Sequence, residues 1–203
     1  MTAPVLDRPT RPASPWRRVA TVVFRAREVS ILLVVLAVFG LTTAYNTSFA
    51  DLLSVQQLLV GASVMMILAV GETLVIITRN VDLSVGSVLG LSAYVIGDIF
   101  AHFPNFPVIL GFLAGVGVGL LCGVVNGAIV VLARVPSLVV TLGTLYVIRG
   151  VDAIFVNGVQ INPSSIPDSF IGIGYETVLD IPWMFIIASA LVVVVGYIMR
   201  TFR

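Results

Sequence analysis

The sequence predicts an all-α fold, a polytopic membrane helix bundle of about six transmembrane helices with its N-terminus in the cytoplasm. Three observations carry that prediction. Of 203 residues, 59% are hydrophobic and only 10% are charged, and the mean hydropathy is +1.12. The apolar residues gather into runs of roughly 20, the length that crosses the hydrocarbon core of a bilayer. All 11 basic residues are arginine, and all but one fall between or outside those runs.

Taken in order, residues 1–15 are polar and Pro-rich and read as a disordered tail. Trp16 to Arg27 interleaves arginine with Val and Phe, which suits a segment lying along an anionic membrane surface. Residues 1–28 thus form a basic cytoplasmic flank, and residues 29–203 the transmembrane domain. The spans fall at about 29–48, 57–78, 83–101, 107–133, 137–156 and 181–199. The first is longer than the apolar core of a signal peptide and lacks a small-residue exit, so it is read as retained. The fifth is the least secure, because its cleanest apolar stretch, Ser137 to Ile148, is short enough to be re-entrant.

Parity decides for six crossings. They put Arg8, Arg11, Arg17, Arg18, Arg25, Arg27, Arg79, Arg134, Arg200 and Arg203 on one side and leave only Arg149 over, a strong positive-inside pattern. The 152–180 loop then faces outward. It carries Asp152, Asp168, Glu176 and Asp180 and no basic residue.

Composition excludes several classes. A net charge of +1 gives no bias toward nucleic acid. Cys122 and His102 are the only residues of their types, so neither an internal disulfide nor a His/Cys metal cluster can form. There is no phosphate-binding glycine loop and no His-based triad.

Within the spans, Gly111, Gly115, Gly119, Gly123 and Gly127 recur at a strict spacing of four. Residues four apart share a helix face, so they make a smooth groove about 24 Å long. Small residues at that spacing let another helix approach closely, which predicts a tightly packed central helix. Asn126, beside the last glycine, needs a hydrogen-bond partner. Charges inside spans cost on the order of 2.5–3.5 kcal/mol each at a helix centre, so Glu72, Asp98, Arg149 and Asp152 are singled out. Arg149 and Asp152, three apart, are expected to pair.

The densest polar run is Thr78-Arg79-Asn80-Val81-Asp82-Leu83-Ser84-Val85-Gly86-Ser87, which must turn the chain between spans two and three. Arg79 would anchor in the headgroups, and Asp82 or Ser84 would cap the third helix. A polar gate or solute contact is the other reading of the same residues.

At these residues the sequence resembles the permease subunits of ribose-type and rhamnose-type ABC sugar importers, within the branched-chain amino acid/sugar permease family. Gly71-Glu72-Thr73-Leu74-Val75-Ile76-Ile77-Thr78 runs into the polar turn. It is followed in order by Asn126-Gly127, Arg134-Val135-Pro136-Ser137, Val140-Thr141-Leu142-Gly143-Thr144 and Arg149-Gly150. The Thr78-Arg79-Asn80 start is closer to the rhamnose-type branch. The resemblance runs from about Val29 onward and is to the N-terminal part of such a permease, without the coupling loop and later spans.

The resemblance implies a multi-pass subunit of the bacterial cytoplasmic membrane that binds no cofactor itself. Its implied partners are a second permease subunit, alike or different, a cytoplasmic ATPase and an extracytoplasmic sugar-binding protein. Motif position and polarity then point to Asn80, Asp82, Ser84, Asn126, Thr141 and Thr144 as pathway or gate residues. Two other classes stay open: an ion-coupled secondary transporter using Glu72 and Asp98, and a non-transporting assembly subunit.

Overall fold

A computed structural model describes residues 27–201. The Pro-rich tail, most of the surface segment after it, and Arg203 lie outside the described residues. The chain divides into two compact units, one ending at Val55 and one beginning at Gln56.

In the first unit, α1 (Arg27–Tyr45) is followed by a 3-10 turn, Thr47–Ala50. The Asn46 side chain opens that turn by accepting from the Ser48 N–H at 3.1 Å. Phe39 folds against Phe49, ring centroids 5.4 Å apart. The boundary between units falls in α2 (Leu52–Ile77). The second unit continues with α3 (Val85–His102), α4 (Val108–Ala133) and α5 (Ser137–Val156). A short α6 (Asp168–Tyr175) and a hairpin of β1 (Thr177–Val178) and β2 (Ile181–Pro182) lead into α7 (Trp183–Thr201).

The expected all-α membrane architecture is what folds. Five helices, α2 to α5 and α7, are long and apolar enough to cross a membrane, and α1 offers a shorter apolar stretch, Val29–Tyr45. The segment suspected of being re-entrant is the unbroken α5, 20 residues long and about 30 Å from end to end. Large apolar side chains are exposed on every one of these helices; in the second unit they include Met65, Val131, Leu132 and Val193. That is the arrangement of a bundle whose solvent is lipid.

Packing corrects one expectation about the centre. The helix that packs closely against two others is α3, with α4 on one side and α5 on the other. The glycine stripe of α4 serves this only at one end. A Cβ on Gly111 would collide with the fully buried Phe100 ring, and one on Gly115 with the Ile96 side chain, both on α3. At Gly119, Gly123 and Gly127 a Cβ would meet nothing within 4 Å. The stripe is a contact surface for its first two glycines and is unpacked at the other three.

The outward loop expected at 152–180 is folded onto the bundle. Phe170 of α6 packs on Phe100 with centroids 5.1 Å apart, and Ile161 fills the space over Gly97. The β1–β2 turn places Leu179 and Asp180 at φ 51° and 64°. Two successive left-handed residues match the right-handed twist of a hairpin.

Helix α2 ends on a left-handed Arg79, φ 61°. The Asn80 N–H reaches the Val75 carbonyl at 3.2 Å and the Arg79 N–H reaches Ile76 at 2.8 Å, the bond pair of a Schellman cap. Glycine is the usual occupant of that position. Arg134 repeats the conformation after α4, φ 54°. Arg79→Gly is therefore expected to hold or raise thermal stability in detergent, by up to about 1 kcal/mol, while removing a positive-inside charge. A clear fall in melting temperature would contradict this account of the cap.

Candidate functional site

The polar turn from Thr78 to Ser84 is strapped to two helices by side-chain bonds. From α5, the Ser137 hydroxyl accepts from the Val81 N–H at 3.1 Å. One turn further along, the Thr141 hydroxyl accepts from the Leu83 N–H at 3.1 Å and donates to the Val81 carbonyl at 3.3 Å. These bonds answer a specific need. Backbone without secondary structure leaves N–H and C=O groups that must find partners, and here two hydroxyls of α5 supply them.

From α4, the Asn126 Nδ2 donates to the Ser84 hydroxyl at 2.8 Å. Ser84 in turn donates to Asp82 Oδ1 at 2.6 Å, and the same oxygen accepts from the Ser84 N–H at 2.8 Å. The Ser84 proton is thus committed to a carboxylate, so its oxygen can only accept. That requirement orients the Asn126 amide with its nitrogen toward Ser84. Ser84 is 0% exposed, Thr141 3% and Asn126 6%. Among the described residues, Asn126 Oδ1 is buried with no partner.

Asn126 lines a cavity of about 300 Å³. The end of α2 (Val75, Thr78), the turn (Asn80, Asp82), Gly123 and Gly127 of α4, and Ser137 and Thr141 of α5 enclose the rest. Two glycines of the open half, Gly123 and Gly127, thus leave room beside Asn126 in the wall of this space.

The capping expected at the head of α3 takes another form. Ser84 holds the N-cap position but its side chain makes no cap bond. The Ser84 hydroxyl is drawn instead into the bond with Asp82, whose carboxylate closes a turn one step before the helix.

Of the six pathway residues expected, Asp82, Ser84 and Asn126 form one bonded cluster, and Thr141 bonds to the backbone of the same turn at Val81 and Leu83. Asn80 lies beside it, with Nδ2 turned back to the Thr78 carbonyl and hydroxyl at 3.1 and 3.0 Å. Thr144 stands apart, its hydroxyl donating to the Thr141 carbonyl of its own helix at 3.3 Å. Ser137 is the member that residue-by-residue reading passed over. It sits at the first position of a helix behind Pro136, where a hydroxyl ordinarily serves its own helix end.

The intramembrane charges separate. Asp98 meets His102 one turn on, Oδ1 to Nδ1 3.3 Å, at the end of α3 where both side chains are exposed. Glu72 is half-buried in α2 and makes no side-chain hydrogen bond or ion pair among the described residues. Arg149 and Asp152, expected to pair, form no salt bridge. Asp152 leans toward α3 instead, its Oδ2 3.8 Å from where a Gly90 Cβ would stand.

A bundle of apolar-faced helices that buries hydroxyl, amide and carboxylate groups around a cavity defines a class, the polytopic membrane proteins with an internal polar site. The particular family follows from comparison. A family model described as branched-chain amino acid transport system / permease component matches residues 54–202, and this chain belongs to that family. It is a multi-pass protein of the inner membrane.

Its relatives include the autoinducer 2 import system permease protein LsrC of Enterobacter sp. (strain 638), 37% identical over 142 residues, which make up 69% of this chain and 41% of that protein. The protein of the same name from Photorhabdus luminescens is 36% identical over 132 residues, 65% of this chain and 39% of the relative. That from Shigella flexneri is 35% identical over 132 residues, 65% and 38%. The chain therefore spans about two fifths of the length of these relatives. No solved structure matches it.

Proposed function

We propose that this chain is part of the substrate-translocating permease of an ATP-driven importer for a small hydroxylated solute, a monosaccharide or a molecule like one. The observation that carries this reading is the bonded cluster of Asp82, Ser84 and Asn126, with Thr141 tied to the backbone of the same turn and an unused amide oxygen on the residue that lines the cavity. A neutral polyol has to cross on hydrogen bonds. Groups that bond one another when the path is shut can exchange those bonds for solute hydroxyls when it opens, at little net cost.

In this reading the cluster is a gate. Asn126 and Thr141 hold the turn between α2 and α3 against α4 and α5, and alternating access separates them. Thr144, bonded to its own helix, is left out. The chain binds no nucleotide. ATP acts on a cytoplasmic partner, a second permease subunit completes the path, and an extracytoplasmic binding protein delivers the solute. The autoinducer 2 permeases among the relatives support a sugar-like solute. Ribose and rhamnose extend that class.

Reconstituted with those partners, the full-length protein is expected to take up labelled L-rhamnose, D-ribose or autoinducer 2 only with ATP. Asn126→Leu should slow that uptake by about tenfold or more, the worth of one buried polar bond at a gate. Uptake that follows a proton gradient without ATP, and disappears in Glu72→Gln, would indicate ion coupling and overturn the proposal.

A further inference from the structure

A second polar cavity, separate from the gate cluster, lies between α3 and α5. The two helices run side by side and are tied at two levels. At one, the Leu83 N–H meets the Thr141 hydroxyl at 3.1 Å. At the other, the Tyr94 hydroxyl donates to the Phe155 carbonyl at 3.2 Å. Between the ties is a space of about 420 Å³, with Gly86, Ser87 and Gly90 on one wall and Leu145, Arg149 and Asp152 on the other.

The two charges of this wall stand three residues apart on α5, yet no salt bridge joins them. Asp152 Oδ1 is buried without a partner among the described residues. Both charges lie in the last two turns of α5, Arg149 exposed and Asp152 half-buried. Groups of that kind in a bilayer are kept where something polar meets them.

We propose that this cavity is a binding site for one small neutral polyhydroxyl solute, held between the Asp152 carboxylate, the Arg149 guanidinium and the Ser87 hydroxyl. For its ligand class the inference rests on the sugar-importer reading above. The carboxylate accepts from adjacent hydroxyls, and the guanidinium donates to the oxygens beside them. The volume falls within the range of about 300–1,000 Å³ common for small-molecule sites. Gly86 and Gly90 supply the depth, since any larger residue there would occupy the space facing Arg149 and Asp152. The site lies further along α3 and α5 than the gate cluster, so a solute would rest in it before or after passing the gate.

Cys122 is the only cysteine among these 203 residues, so Cys122→Ala, with any cysteine elsewhere in the assembled transporter also replaced, gives a background in which Ser87→Cys reports on this wall alone. The assembled transporter in liposomes would be treated with a small methanethiosulfonate. D-ribose, L-rhamnose or autoinducer 2 at about ten times its Kd is expected to slow modification of Ser87→Cys about tenfold. Asp152→Asn, which keeps size and shape, should raise the solute concentration needed for that protection by about tenfold to a hundredfold, and Arg149→Gln likewise.

Three results would overturn the proposal. They are protection by L-leucine but by no sugar, a Ser87→Cys that never reacts in the assembled transporter, and sugar protection unchanged in both Asp152→Asn and Arg149→Gln. ATP-driven uptake with no protection at Ser87→Cys would sink this site and leave the importer reading intact. Protection without any ATP-driven uptake would do the reverse.

Discussion

Asp82→Ala is expected to destabilise the protein by about 3 kcal/mol and to abolish transport. Asp82 Oδ1 accepts from both the N–H and the hydroxyl of Ser84, and Ser84 is fully buried. Truncation leaves two donors without partners, each costing about 1–3 kcal/mol. It also frees the Ser84 hydroxyl to turn, which breaks the order of donors that fixes the Asn126 amide. Asp82→Asn keeps an oxygen at that position and should lose much less. Thermal unfolding in detergent, followed by size-exclusion chromatography, separates the two variants. Equal melting temperatures would show that the cluster does not hold the turn.

Gly111→Ala should cost about 1–3 kcal/mol, the usual penalty for overpacking. The new methyl would drive into the Phe100 ring, which is fully buried and itself wedged against Phe170, so it has nowhere to go. Gly115→Ala should cost less. There the obstacle is the Ile96 side chain, whose Cδ1 end can rotate away. Gly119→Ala, Gly123→Ala and Gly127→Ala meet open space and should be neutral, or stabilising by up to about 1 kcal/mol through helix propensity. A uniform response across the five glycines would refute the division of the stripe into a packed half and an open half.

The spans were legible because a bilayer makes a simple demand: about 20 apolar residues and no unpaired backbone. Each expected span has its helix, with ends displaced by a few residues. Part of the site was legible for the same reason. In so greasy a chain, Asp82, Ser84, Asn126 and Thr141 stand out as polar groups that need partners; the first three bond one another, and Thr141 bonds the backbone of the same turn. Ser137 was not legible, because nothing local says that a helix-start hydroxyl will reach the Val81 N–H, 56 residues away in sequence. Thr144 stands apart from that cluster. Its polarity is real, but a carbonyl of its own helix satisfies it.

Arg149 and Asp152 show where local spacing misleads. Three residues apart on a helix permits an ion pair, and spacing alone favours one. Asp152 turns instead to the gap that Gly90 leaves on α3, a helix whose position no pattern within α5 encodes.

By itself, then, the sequence determined what the membrane enforces: an all-α bundle, its spans, and the few polar residues that cannot be left to lipid. Those are consequences of one-dimensional pattern, since hydropathy and helix period act within a segment. Tertiary structure alone decided that α3 rather than the glycine-rich α4 is central, that half of the glycine stripe packs and half stays open, and which polar groups meet. Those outcomes depend on which helix faces which, and that is settled by close van der Waals fit and hydrogen bonding between segments far apart in the chain.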